Sequence, residues 1–170
     1  KLKSLKCLKQ ELKKFSPDDR DFALNQLLEF LQKDRIEFSE PMLHDFLDWE
    51  QLRYMNGTGL WEIGAHTLNH NSLGTIPYHE GKSEIIDSMV KVSQELGTSF
   101  PTLFSYPEGQ ERDIPSYAIK VLKDCGLHSA PSAIPGYNEF PLGNADSFFA
   151  LCRFMVGFKE LHSHGKYNSN

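Results

Sequence analysis

Apolar side chains recur at three- and four-residue steps in five stretches of the chain, and each such stretch predicts an amphipathic helix. Leu2, Leu5, Leu8, Leu12 and Phe15 mark the first, over 1–15. "SPDDRDFALNQLLEFLQ" marks the second, with Ser16 as N-cap, Pro17 as first helical residue and Asp18 and Asp19 in the first turn, where negative charge suits the helix dipole. "EFSEPML" breaks the pattern, and "LDWEQLRYMNGTG" restores it up to Gly57 or Gly59. Ile85, Met89, Val92 and Leu96 carry a fourth helix closed by Gly97, and "IPSYAIKVLKDCG" a fifth closed by Gly126. Between them the texture is strand-like: "LWEIGAH", "PTLFSYPEG", "LHSAPSAI" and "FFALCRFMVG". Strand alternating with helix predicts an α/β fold with a parallel sheet. Residues 1–38 read as a helical segment set apart from the α/β part at 39–170.

The totals fit this picture. A chain of 170 residues, 39% hydrophobic and 24% charged, suits a single globular domain with a real core. A net charge of -5 argues against a nucleic-acid partner, although Lys1, Lys3, Lys6, Lys9, Lys13 and Lys14 crowd the start. That cluster reads as the solvated face of the first helix. Cys7, Cys125 and Cys152 match no zinc or redox spacing and sit among apolar neighbours, so buried free thiols are expected. With no visible signal peptide, they lean toward a reducing, cytoplasmic compartment. No stretch is long and apolar enough to span a membrane. A start at Lys1 is expected of a fragment or a processed chain.

Candidate chemistry centres on "WEIGAHTLNHNSL". His66 and His70 follow an apolar run that reads as a strand end. Neutral imidazole is a good ligand for zinc and similar ions, and two of them face one point if the chain turns after the first. With seven histidines in the chain, spacing alone leaves a chance pair open.

The flanking sequence narrows the choice. "EIGAHTLNHNSL" is similar to the second motif, His-Ser/Thr-x-x-His, of the polysaccharide deacetylases, the NodB-homology group also called carbohydrate esterase family four. "LDWEQLRYMNGTGLW" resembles the helix leading into that motif. "EIIDSMVKVSQELGTSFPTLFSYPEG" resembles the following helix and a third motif of the Phe-Ala-Tyr-Pro-x-Gly kind, and "DSFFALCRF" a later Asp-x-x-x-x-Leu-x-Arg segment. The resemblance runs from about Leu47 to about Phe158.

It implies a distorted (β/α) barrel and a hydrolase that removes an N-acetyl or O-acetyl group from an acetylated carbohydrate. The implied cofactor is a divalent metal, zinc or alternatively cobalt or nickel, which polarises the acetyl carbonyl and lowers the pKa of bound water. On this pattern His66 and His70 are metal ligands, Thr67 braces the loop near His70, and the Glu108 N–H helps hold the oxyanion within a substrate-binding loop of Tyr106, Pro107 and Gly109. The family often carries an Arg where this chain has Ser105; Arg153, paired with Asp146, is the expected substitute.

One motif has no match. The family's first motif is an Asp-Asp pair at a strand end, base and third ligand. Asp18–Asp19 is the only adjacent pair and reads as helix-start charge. The simplest expectation is that the motif lies upstream, with 1–38 an insertion within the deacetylase domain and 39–170 its C-terminal part. The barrel is then incomplete, its open edge favouring pairing between copies in a homo-oligomer. The alternative is a degenerate, inactive member that binds glycans or partners. In "KELHSHGK", Leu161, His162 and His164 match the family's late motif only loosely. His44, His79 and His128 read as structural or exposed, Trp61 as core, and Tyr106 and Tyr137 as aromatics able to stack on a sugar at the mouth. Glu62 either holds the motif loop or faces solvent.

Overall fold

The computed structural model of the chain describes residues 2–33 and 46–154. The 38/39 boundary, the "EFSEPML" break, His44, Leu161, His162, His164 and the end of the last apolar run lie outside them. Among the described residues five α-helices form where the apolar periodicity placed them: α1 (Leu2–Leu12), α2 (Pro17–Phe30), α3 (Trp49–Gly57), α4 (Tyr78–Leu96) and α5 (Ser116–Asp124). Their ends are set locally. Ser16 Oγ accepts the Asp19 N–H at 3.2 Å. Asp48 and Gln51 form a reciprocal capping box at the start of α3. Gly97 closes α4 in the left-handed region at φ 63°.

Helix α4 is the centre of the molecule. Gly81, Glu84, Ile85, Ser88, Met89 and Val92 line its buried face, and α3 and α5 pack against it. From α5 come Ala118, Val121 and Leu122. Phe104, Tyr106 and Phe149 complete the core from the connecting segments. Gly81 is needed here, because a Cβ would stand 2.0 Å from the Tyr117 hydroxyl. By contrast α2 buries no side chain, and Phe22 and Phe30 stand in the open. Among the described residues no helix is long and apolar enough to cross a membrane.

The expected strands shrink to points. Among the described residues the only β pairing is two isolated parallel bridges, Ala65 with Phe104 and Pro131 with Leu151. Ala65 N–H donates to Leu103 O at 3.0 Å and Ser105 N–H to Ala65 O at 3.1 Å, the slanted pattern of a parallel ladder one step long. Proline explains part of the shortening: Pro101, Pro107, Pro131 and Pro135 bring no N–H to a ladder. The start of "FFALCRFMVG" coils instead into a 3₁₀ turn, Ala145–Ala150, capped by Asn144 Oδ1, which accepts from Asp146 and Ser147 N–H at 2.9 and 3.0 Å. What holds of the α/β reading is the parallel sense and α4, which crosses between the first pair of segments, whereas only the 3₁₀ turn lies between the second.

Burial corrects two further expectations. Trp61 is 57% exposed rather than core. The thiols are all free, but Cys7 is exposed and Cys125 and Cys152 are half-buried. Cys125 still feels its surroundings, burial pushing its thiol pKa up.

Candidate active site

The bridge between Ala65 and Phe104 sets His66 beside Ser105. His66 Nδ1 lies 2.7 Å from the Ser105 carbonyl and 2.9 Å from Ser105 Oγ. A carbonyl only accepts, so Nδ1 carries the proton and Nε2 keeps its lone pair for a ligand's role. Gly64 makes the approach close: a Cβ there would fall 2.8 Å from Leu103 O.

After His66 the backbone reverses through Thr67 at φ 59° and His70 at φ 58°. Left-handed geometry is uncommon for any residue with a Cβ and rare for a β-branched one. It brings the two imidazoles together, ring centroids 4.9 Å apart and planes at 73°. His66 is half-buried and His70 exposed. Burial holds the His66 pKa below its ordinary value, against the lift of the Ser105 carbonyl, and the positive ends of His70 and Arg153 lower it further.

The reversing segment is fastened by two buried carboxylates from elsewhere in the chain. Glu84 of α4 accepts the Asn69 N–H at 2.9 Å, the Asn69 amide at 2.7 Å and the Asn71 amide at 3.0 Å. Asp113 accepts from Ser72 Oγ at 2.5 Å and from the Gln110 N–H at 3.0 Å. Thr67 does not brace the loop by a hydrogen bond: its Oγ1 is buried with no partner among the described residues. Glu62 is not part of the loop either; it accepts from Thr102 Oγ1 at 2.8 Å on the exposed side.

Arg153 reaches the same region. It shares with His66, Ser105 and Pro131 the wall of a cavity of about 320 Å³. His70 is not part of that wall. The expected partner of Arg153 is otherwise engaged, for Asp146 pairs with Lys123.

The "YPEG" loop is less open than its sequence suggested. Tyr106 is 1% exposed, set edge-on to Phe104 with centroids 5.5 Å apart, and its hydroxyl has no partner among the described residues. Burial raises its pKa. Pro107 is also fully buried, so neither ring lies at a mouth; Tyr137, 70% exposed, does face outward, edge-on to Phe154. Glu108 and Gly109 both take left-handed backbone, at φ 60° and 63°. Gly109 is required, since a Cβ would meet Ala133 N at 2.7 Å. The Glu108 carboxylate accepts from Lys13 Nζ, just past the end of α1, at 2.6 Å, and its N–H donates to no group among the described residues.

The structure therefore gathers His66, His70, Ser105 and Arg153 at one end of the first bridge, with Glu108 on the loop that follows. Among the described residues no group of three His, Cys, Asp or Glu side chains could hold an ion. The two imidazoles lie side by side: Ser105 fixes the tautomer of one, and the second stands edge-on to it. The sequence reading missed Glu84 and Asp113. The signal for Glu84 was its register, a carboxylate at a core position of an amphipathic helix, one turn before Ser88.

Comparison with known proteins bears on the family and the fold. A protein-family model described as polysaccharide deacetylase matches residues 18–130. No curated protein matches the chain. Among solved structures, a de-N-acetylase from Aggregatibacter actinomycetemcomitans is 17% identical with a TM-score of 0.50, over 82% of this chain and 68% of that one, and shows the shared fold. The Streptococcus pyogenes deacetylase PplD, in complex with acetate, is 18% identical with a TM-score of 0.47, over 56% of this chain and 40% of that one. The BpsB deacetylase domain from Bordetella bronchiseptica gives 18% and 0.47, over 54% and 43%. The chain thus spans about two fifths of the length of these last two.

Proposed function

We propose, from the premise that the chain belongs to the polysaccharide deacetylase family, that it takes part in metal-dependent removal of N-acetyl or O-acetyl groups from a polysaccharide or glycan precursor. One observation carries the reading: the His66 and His70 rings lie 4.9 Å apart, with His66 Nδ1 committed to the Ser105 carbonyl. Those two residues would hold a divalent ion, zinc for its liking of imidazole, with cobalt or nickel as substitutes. A bound ion of this kind supplies Lewis acidity and an acidified water.

The remaining roles fall to the chain itself. Ser105 fixes the His66 tautomer. The uncommitted Glu108 N–H is a donor for a developing oxyanion. Arg153 brings positive charge to the cavity wall beside His66 and draws an anionic group or intermediate toward it. The left-handed turn at Glu108 and Gly109, rather than the buried Tyr106 and Pro107 rings, shapes the loop that meets substrate. The third ligand and the base come, on this proposal, from a carboxylate motif outside the described residues. Residues 1–38 are then an insertion in the deacetylase domain, and the two parallel bridges are the described remnant of an incomplete barrel. A second reading, an inactive glycan-binding module, draws on the lack of a three-donor group among the described residues.

The test uses the full-length protein and an acetylated glycan. His66→Ala and His70→Ala each abolish acetate release if the reading holds. Undiminished release from either variant overturns it, and glycan binding without release from the wild type favours the second reading.

A further inference from the structure

We infer that Glu84 is a positioning residue for His70, a carboxylate on α4 that holds the second imidazole of the pair in place through Asn69 and Asn71; the inference rests on the reading of His66 and His70 as a metal pair. His70 sits at φ 58°, in left-handed backbone that a histidine leaves readily unless its neighbours are pinned. Both neighbours are pinned by the same group. Upstream, Asn69 gives Glu84 its backbone N–H at 2.9 Å and its side-chain amide at 2.7 Å. Downstream, the Asn71 amide reaches the same carboxylate at 3.0 Å. A fourth bond, Leu68 N–H to the Glu84 main-chain carbonyl at 3.1 Å, ties the loop to the helix itself.

Glu84 is only 7% exposed, and no Lys or Arg pairs with it among the described residues. A carboxylate so placed is costly to bury without donors, and here all three come from the residues flanking His70. Helix and loop therefore fix one another: the loop's amides satisfy the buried group, and the group sets the loop's one conformation. Packing alone would be served as well by Leu or Met at this register, as it is at Met89. The choice of Glu reflects the loop, not the core.

The experiment measures zinc affinity of the full-length protein by competition with a chromophoric chelator, together with the visible absorption spectrum of the cobalt-substituted protein. Glu84→Gln keeps the size of the side chain but turns an NH₂ toward the Asn amides. The expected result is zinc affinity weaker by about 10- to 100-fold, the range for loss of a group that orients a ligand, with an altered cobalt spectrum. Val121→Ala, a core truncation in α5, should lower Tm and leave both readouts unchanged. Adding Asn69→Asp to Glu84→Gln restores an amide–carboxylate bond with reversed polarity and should recover part of the affinity. Where Glu84→Gln fails to fold, Asn69→Ala decides, since Asn69 is exposed and its loss opens no cavity; roughly 3- to 10-fold weaker binding is expected for one partner of the network. Unchanged zinc affinity and cobalt spectrum in folded Glu84→Gln, or in Asn69→Ala, overturns the inference. His70→Ala separates the two ideas: if it too binds zinc like the wild type, the metal reading falls, whereas loss in His70→Ala with none in Glu84→Gln sinks only the role of Glu84.

Discussion

Replacing Asp113 by Ala and, separately, by Asn should give two very different losses of stability. Asp113 is 1% exposed and takes Ser72 Oγ at 2.5 Å and the Gln110 N–H at 3.0 Å. Arg112 Nε stands 3.7 Å from Oδ1, but its side chain is half exposed, so that pair adds little. Alanine strands both donors. Ser72 is itself 9% exposed, and its lost bond should cost about 2 kcal/mol, with about 1–2 kcal/mol more for Gln110. The sum is roughly 3–4 kcal/mol, a Tm lowered by about 6–16 °C for a chain of this size. Asparagine keeps the bond count. Its Oδ1 accepts from Gln110, its amide donates to Ser72 Oγ, and the serine hydroxyl turns from donor to acceptor. Only the charge assistance goes, about 1 kcal/mol and roughly 2–4 °C. Thermal and urea unfolding followed by circular dichroism measures both. Equal losses in the two variants, or an alanine loss under about 1 kcal/mol, would refute the claim that this carboxylate works by receiving two specific hydrogen bonds.

Two further tests probe the same frame. Gly74→Ala places a Cβ 1.8 Å from the Arg112 carbonyl oxygen, a backbone atom that cannot swing aside, and should cost at least about 2–3 kcal/mol in urea unfolding, while Gly57→Ala, with open space around it, stays within about 1 kcal/mol of the wild type. Tyr117 donates to Leu73 O at 2.7 Å, and burial, helped by Glu80, has its phenol pushed up to about 12 from 10.0. The folded state therefore holds the proton more tightly, and its stabilisation is intact below pH 10 and lost as pH rises toward 12. Partial exposure reduces the effect to about 1 kcal/mol, read as a steeper alkaline fall for wild type than for Tyr117→Phe; parallel curves would count against it.

The helices were legible because their causes are local. Ser16, Pro17, Asp48 and Gly97 act within one turn, and apolar spacing needs no knowledge of what it packs against. The strands were not, because a strand exists only through its neighbour. The runs at 60–66 and 100–106 carry the right residues but meet for a single bridge. Trp61, Cys7 and Tyr106 show the same limit in burial. Side-chain polarity placed Trp61 and Cys7 inside and Tyr106 at a mouth, and the fold reverses all three. The histidine pair was legible as a spacing. What turns spacing into proximity, the left-handed backbone and its two carboxylate anchors, depends on residues 13 to 41 positions away, and the histidine motif itself carries no trace of them.

The strain itself is ordered. Of the four non-glycine residues with positive φ among the described residues, Thr67, His70 and Glu108 all follow the Ala65–Phe104 bridge, on the two loops it aligns, and Gln32 lies elsewhere. Each such residue costs on the order of 1 kcal/mol, so three in adjacent loops persist only where the surroundings leave no relaxed alternative. The surroundings do that here. Upstream, Gly64 lets the segment lie against Leu103, and downstream Glu84 and Asp113 fix Asn69 through Ser72. Gly109 meets Ala133 on the second loop, whose carbonyl accepts the Ala133 N–H at 2.8 Å. A loop held at both ends in an unfavourable backbone region is set before any ligand arrives. The imidazole pair therefore belongs to the folded chain itself, and binding at it should cost little reordering of these two turns.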